Sequence, residues 1–320
     1  MEGSVEQPVL IYDRIDKNRR NTILLFLAFA IVIAVLFGAV GAIFGLYGGL
    51  EAKQLGPLVG SVAAIGLVTA LAFSWVSYYA SSSVVLGISE AHEVTKEQEP
   101  VLWGVVENLC IGAGLPMPKV YVIEDSAPNA FATGRDPQHA AVCATRGLLD
   151  KLERRELEGV IAHELSHIGN YDTRVMTVMV MLAGLAALVS DVMLRFTWYG
   201  SGSRSNNRDK GGGAAGAIIL ILAIVVIVLT PIAAALLKMA VSRQREYLAD
   251  ASGALLCRNP DALADALQKI SQDKEPLEVA NKATEHLYIT NPLQEHASAL
   301  NNLFDTHPPI ERRIELLRAM

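Results

Sequence analysis

The chain has 320 residues, of which 52% are hydrophobic and 19% charged, against about a quarter charged in an ordinary globular protein. That balance excludes a disordered chain and argues against a purely water-soluble one, and a formal net charge of −6 leaves no excess basicity for a nucleic-acid partner. Three cysteines, Cys110, Cys143 and Cys257, form no CxxC pair, which sets aside a disulfide framework or a cysteine-built zinc ribbon and fits a reducing compartment.

Residues 1–21 form a polar tail. Two uncharged stretches follow, 22–46 and 55–80, each longer than the roughly 20 residues a helix needs to cross a bilayer. A transmembrane hairpin is therefore expected over 22–80. The first stretch is too long, and its tail too polar, for a cleaved signal peptide. Gly41 and Gly45, and Gly56 and Gly60, have the small-xxx-small spacing that lets helices approach closely.

Residues 81–173 form the first polar block. A helix is expected over 97–113, with Pro100 near its start and Gly112 and Gly114 after it. Strands are expected at 119–123, 130–132 and 139–144, the last two separated by the turn-like Gly134-Arg135-Asp136-Pro137. A helical stretch over 148–170, broken or bent near Asp150, closes the block. A second membrane hairpin is expected over 174–241, with spans at 175–194, interrupted by Asp191, and at 214–237. Between them, residues 201–213 are rich in Gly, Ser and Asn and read as a flexible tip. The second polar block, 242–320, reads as helices near 239–257, 260–272 and 309–319.

Charge sets the expected orientation. Arg14, Lys17, Arg19 and Arg20 precede the first span, while the 47–54 turn carries one Lys and one Glu. The positive-inside rule then puts the N-terminus and both polar blocks in the cytosol. Arg195, Arg204, Arg208 and Lys210 break the pattern. Either the first hairpin dominates or the second does not fully cross.

His163-Glu164-Leu165-Ser166-His167 carries the chemistry. On a helix, residues four apart share a face, so both imidazoles reach one tetrahedral ion. Glu164, beside the first ligand, is placed to take a proton from the attacking water. A catalytic zinc site needs a third protein ligand and leaves a position open. Glu246 and Asp250, one turn apart in the second block, offer a ligand and an acceptor for the second N–H of a ligand histidine.

Chain length favours Glu246. His167 lies about 12 Å of helix from the start of the third span, and Glu246 about 13 Å from the end of the fourth. An antiparallel hairpin brings both to one height above the membrane. The seven charges within 150–158 must be solvated, so the site lies near the bilayer and not inside it. His92, His139, His286 and His296 have no partner at ligand spacing and read as structural or solvated.

The residues resemble the HtpX-like membrane zinc metalloproteases, gluzincins related to the Ste24 prenyl-protein peptidases. The likeness runs through Pro128-Asn-Ala-Phe-Ala-Thr-Gly134, His139-Ala-Ala-Val-Cys-Ala-Thr145, Glu158 to Ile168, Ser242 to Asp250, and Thr306-His-Pro-Pro-Ile-Glu-Arg312. It implies an α-helical membrane protein with a mainly α (α+β) zincin-like metalloprotease domain: a small β-sheet with an edge strand, and an active-site helix bearing HExxH. It implies one Zn2+ per chain on His163, His167 and Glu246, with Glu164 as the catalytic acid/base and Asp250 supporting a ligand.

Asn129, Ala130 and Phe131 resemble an edge strand that binds extended substrate. His307 resembles a histidine near the site that could hydrogen-bond the oxyanion. The resemblance further implies a multi-pass protein of the cell inner membrane, active in stress-response quality control on unfolded or damaged membrane proteins at the cytosolic surface. Self-cleavage in trans is expected, at residues 1–20 or around Lys274 to Leu277. Two alternatives stand: a prenyl-protein (CAAX-type) peptidase, and a non-catalytic membrane scaffold or chaperone with a structural zinc.

Overall fold

A computed structural model describes residues 11–47, 49–182, 184, 191, 225, 228–229, 243–280, 284–292 and 308–320. The chain divides into two compact units, one of Met1–Thr22, Ala80–Val178 and Lys238–Met320, the other of Ile23–Tyr79 and Met179–Leu237.

In the second unit run parts of two long helices, α1 (Ile11–Tyr47) and α2 (Ala52–Ile88). Among the described residues these are the two helices long and apolar enough to cross a membrane. Ile23, Leu27, Ile31 and Val35 on α1, and Val68, Leu71 and Trp75 on α2, are exposed. So much outward apolar surface suits lipid and not water.

The glycine pairing differs in part from expectation. A Cβ on Gly41 would stand 3.1 Å from Val62, one on Gly45 2.5 Å from Leu55, and one on Gly66 2.6 Å from Phe37. Those glycines let α1 and α2 touch. Gly56 and Gly60 have nothing within 4 Å, because each lies one residue, about 100° of rotation, round the helix from the Leu55, Val59, Val62 and Gly66 face that meets α1.

Both helices also outrun their apolar stretches. α1 begins at Ile11, within the polar tail, and α2 continues to Ile88. Hydropathy marks where a chain enters hydrocarbon, not where its helix starts. Of the expected spans at 175–194 and 214–237, the helix α6 (172–182) covers the beginning of the first. The remainder, apart from 184, 191, 225, 228 and 229, lies outside the described residues, as does the 201–213 tip.

In the first unit, a four-stranded sheet has the order β1 (His92–Glu93), β2 (Lys119–Ile123), β4 (Ala140–Thr145), β3 (Ala130–Gly134). β2 and β4 are parallel, with Tyr121 opposite Cys143, while β3 is antiparallel to β4, with Phe131 also opposite Cys143. The turn expected at 134–137 becomes a single 3-10 turn over Pro137–His139, closed by the Asp136 carboxylate accepting from the His139 N–H at 2.9 Å.

α3 (Pro100–Ala113) starts on its proline and ends on Gly114 at φ 64°, whose left-handed backbone lets the Leu115 N–H return to the Cys110 carbonyl at 3.0 Å. The helical stretch expected over 148–170 is broken, as one of the two readings near Asp150 has it. α4 (Arg146–Lys151) stops at Leu152, which is extended, and α5 (Arg154–Gly169) restarts with the Glu156 carboxylate accepting from the Glu153 N–H at 2.8 Å.

α5 is the central helix. It packs against β3, α3, α7 (Arg243–Cys257) and α8 (Pro260–Gln272), and α9 (Ile310–Arg318) packs on α8. Leu157, Val160, Ile161, Leu165 and Ile168 bury its apolar stripe, a gross gain on the order of 10 kcal/mol before conformational entropy is subtracted. Two glycines set how closely the neighbours approach. A Cβ on Gly159 would lie 2.7 Å from the Leu263 nitrogen in α8, and one on Gly253 in α7 would lie 2.9 Å from the His163 nitrogen.

Candidate metal centre

The close approach of α7 to α5 brings Glu246 opposite the two histidines. His163 Nε2 and His167 Nε2 are 3.2 Å apart, and the Glu246 carboxylate oxygens lie 3.7 Å from the first and 3.6 Å from the second. All three residues are buried. A tetrahedral ion holding its ligands at about 2.0–2.1 Å spaces them about 3.3 Å apart. The three atoms thus already stand near the spacing of three corners around one ion. Two imidazoles and a carboxylate are also the donor set that suits zinc. The residues fit the group.

Partners behind the ring nitrogens fix which atom faces the centre. Asp250 Oδ1 lies 2.9 Å from His163 Nδ1, close but in a bent geometry. Asp172 Oδ2 lies 3.2 Å from His167 Nδ1. With a carboxylate at each Nδ1, the Nε2 lone pairs are left for a metal.

Arg313 supports this arrangement from α9. Its guanidinium is 1% exposed and donates to both Asp250 oxygens, at 2.8 and 2.7 Å, and to the Ile289 carbonyl at 2.9 Å. It also stands 3.9 Å from Glu246. Burial alone would raise the Asp250 pKa, but the charge and hydrogen bonds of Arg313, helped by His163, hold it at about 2.

Glu164 is 2% exposed. Burial pushes its carboxyl up to about 7, with Glu246 pushing the same way and His167, Arg313 and the Ala132 backbone N–H opposing. A carboxylate with a pKa near the working pH is matched to accepting and returning a proton.

Burial lowers the pKa of His163, whereas for His167 burial is outweighed by Asp172 and Glu246, which hold it at about 9. Below pH 9 the metal-free His167 therefore carries a proton that zinc must displace. Zinc affinity is expected to rise about tenfold per pH unit toward pH 9, with about one proton released per ion bound. Calorimetric titration in two buffers of different ionisation heat measures that proton. An affinity flat between pH 6 and 8 would contradict it.

The other expected site residues divide. Ala130 and Phe131 lie in the edge strand β3 beside α5, with Asn129 just before it, and all three are buried and carry contacts of their own. The Ile289 N–H donates to the Ala130 carbonyl at 2.9 Å, Tyr288 bridges antiparallel to Phe131, and their rings stack edge-on at 5.1 Å. His307 lies outside the described residues, as does His296. His92 faces Glu124 at 3.4 Å and His139 faces Asp136 at 2.6 Å, and among the described residues neither joins the metal cluster.

Two residues escaped the sequence reading. Asp172 lies five residues after His167, at the start of α6, where no ligand spacing marks it. Arg313 had a visible signal: it lies between Ile310, Ile314 and Leu317, a charge on the apolar face of its helix.

Two histidines one turn apart, an acid beside the first and a carboxylate from a second helix are the pattern that zincin-class metalloproteases use. Residues 96–320 match peptidase family M48. A "Protease HtpX homolog" of Listeria innocua is 48% identical over 316 residues, covering 97% of this chain and 100% of that one. A protein of the same name from Ligilactobacillus salivarius is 42% identical over 311 residues, with 97% and 100% covered. Among solved structures, S. mikatae Ste24p is similar with a TM-score of 0.42 and 18% identity, over 77% of this chain and 58% of that one. The chain belongs to peptidase family M48. It is a membrane metalloprotease, and metalloproteases of this family depend in general on zinc.

Proposed function

We propose that the chain is a zinc endopeptidase working at the cytosolic membrane surface, with His163, His167 and Glu246 as ligands and Glu164 as catalytic acid/base. The convergence of the two Nε2 atoms and the Glu246 carboxylate carries this reading. When bound, zinc would polarise the scissile carbonyl and make water acidic enough to ionise near neutral pH. The rest is work for the chain. Glu164 takes the proton of the attacking water and returns it to the leaving amine. Asp250, Asp172 and Arg313 hold the histidines so that their Nε2 atoms converge. The three protein ligands found among the described residues suit a catalytic centre with an open position.

Substrate enters the proposal as an extended strand along Asn129, Ala130 and Phe131. The bridge to Tyr288 supports this, because it is an antiparallel strand contact on that edge. A substrate in that register takes the place Tyr288 now holds.

The four-crossing topology, the cytosolic N-terminus and the role in removing unfolded or damaged membrane proteins rest on the charge pattern and on the likeness to the HtpX-named relatives. Self-cleavage in trans belongs to the same proposal. Its expected site near Lys274 to Leu277 is pinned by Ser126 donating to Glu275 at 2.6 Å and by the Leu277 N–H on the Pro292 carbonyl at 2.9 Å. Residues from Ile11 onward are helical in α1, so of the 1–20 stretch cuts are expected N-terminal to Ile11.

Zinc content measured together with casein digestion, with and without chelator, tests the proposal. One zinc per chain and chelator-sensitive cleavage are expected. Zinc without such cleavage would leave a scaffold. Efficient cleavage of a prenylated peptide with unfolded protein untouched would leave a prenyl-protein peptidase.

A further inference from the structure

The base of α1 reaches the metal centre. Asn18 is buried, and its side-chain amide donates to the Asn170 carbonyl at 2.9 Å and to Asp172 Oδ1 at 2.8 Å. The other oxygen of Asp172, Oδ2, is the one that faces His167 Nδ1 at 3.2 Å. Asp172 is 2% exposed. Its carboxylate thus has one oxygen on α1 and the other on a candidate zinc ligand.

The turn that carries it is gripped on both sides. Arg19 donates to the Tyr171 hydroxyl at 3.3 Å and lies 4.9 Å from the ring centre, and Arg174 covers the same ring at 4.8 Å. Tyr171 itself has φ 59°, a backbone conformation an aromatic residue adopts only when its surroundings impose it.

A ligand imidazole binds well when its second nitrogen is held by a fixed acceptor, and that acceptor is in turn held by hydrogen bonds. Asp172 cannot rotate about its side chain without losing Asn18 or His167. Asn18 supplies the lock from a residue 154 positions away in sequence.

We propose that Asn18 and Asp172 are positioning residues for His167, so that the first turns of the helix that becomes the first apolar stretch are part of the metal centre. This rests on His167 being a zinc ligand. His167→Ala tests that premise by itself. A variant that still binds one zinc with wild-type affinity removes the ligand reading, whatever Asn18 does.

The positioning test uses full-length protein in detergent, with zinc affinity from chelator competition and the visible spectrum of the Co2+-substituted protein as readouts. Asp172→Ala should weaken zinc about 10- to 100-fold and shift the Co2+ bands. Asn18→Ala should weaken it about three- to tenfold, a typical loss for one buried hydrogen bond, with a shift in the same direction.

The double variant should be no weaker than Asp172→Ala alone, because Asn18 acts only through Asp172. Arg20→Gln, at an exposed neighbour of Asn18 on α1, should keep wild-type affinity. If Asp172→Ala does not fold, Asp172→Asn replaces it with the same expected order, since an amide turned to accept from His167 presents its NH2 to Asn18. Wild-type affinity and spectrum in either single variant would overturn the proposal. So would multiplied losses in the double variant, or a loss in Arg20→Gln equal to that in Asn18→Ala.

Discussion

Glu164→Gln is expected to keep one zinc per chain and to lose at least about a thousandfold in kcat, within the range general acid–base groups contribute. The substitution changes one atom in a buried site. Glutamine keeps the shape of Glu164 and can still accept from the Ala132 backbone N–H, so the helix and its histidines stay where they are. It has no site for the proton of the attacking water and none to return to the leaving amine. Zinc quantification and steady-state cleavage of unfolded casein, on preparations freed of contaminating protease, measure both halves. Undiminished cleavage by the variant would remove Glu164 from the mechanism. Lost zinc would mean that the carboxylate holds the site and does not merely serve it.

The second large effect concerns stability. Arg313→Met is expected to cost about 3–5 kcal/mol, because it leaves the buried Asp250 carboxylate without its countercharge. Replacing both members, Arg313→Met with Asp250→Leu, should recover most of that loss, since a well-packed apolar pair avoids the desolvation that the ion pair suffers. It should not recover zinc affinity, because His163 then has no acceptor at Nδ1. Thermal melts of the detergent-solubilised variants, paired with chelator competition, separate the two effects. A double variant no more stable than the single one would show that Arg313 matters through Ile289 and packing, not through charge.

Local chemistry was legible in the sequence and distant partnership was not. The HExxH spacing is a property of one helix turn, and Pro100 and Gly114 mark their helix from a few residues away. Glu246 was reachable because two helical distances could be compared along the chain. Asp172 and Asn18 were not reachable that way. Each is an ordinary polar residue in a polar stretch, and their contact joins positions 154 apart.

The buried arginine on the apolar face of α9 could have been found by asking why a charge stood in that stripe. The start of α1 was missed for a related reason. Its first turns are too hydrophilic for a hydropathy window, and what buries Asn18 is a turn encoded far downstream. The Gly56 and Gly60 pair shows the converse error. Spacing identifies a smooth helix face but not what it faces.

Gly253 and Gly159 leave no side chain between α5 and the backbones of the two helices beside it. The width of the gap between the histidines and Glu246 is thus set at Gly253 by main chain resting on main chain, which has no rotamers to exchange and almost no compliance, while Gly159 seats α8 in the same way. Ordinary drift among the aliphatic residues of the interior, such as Val160 or Leu267, can be absorbed by neighbouring side chains without altering that width. The ligand spacing is in this sense insulated from the composition of the core, and its sensitivity to substitution is concentrated at Gly253, where nothing larger than hydrogen fits.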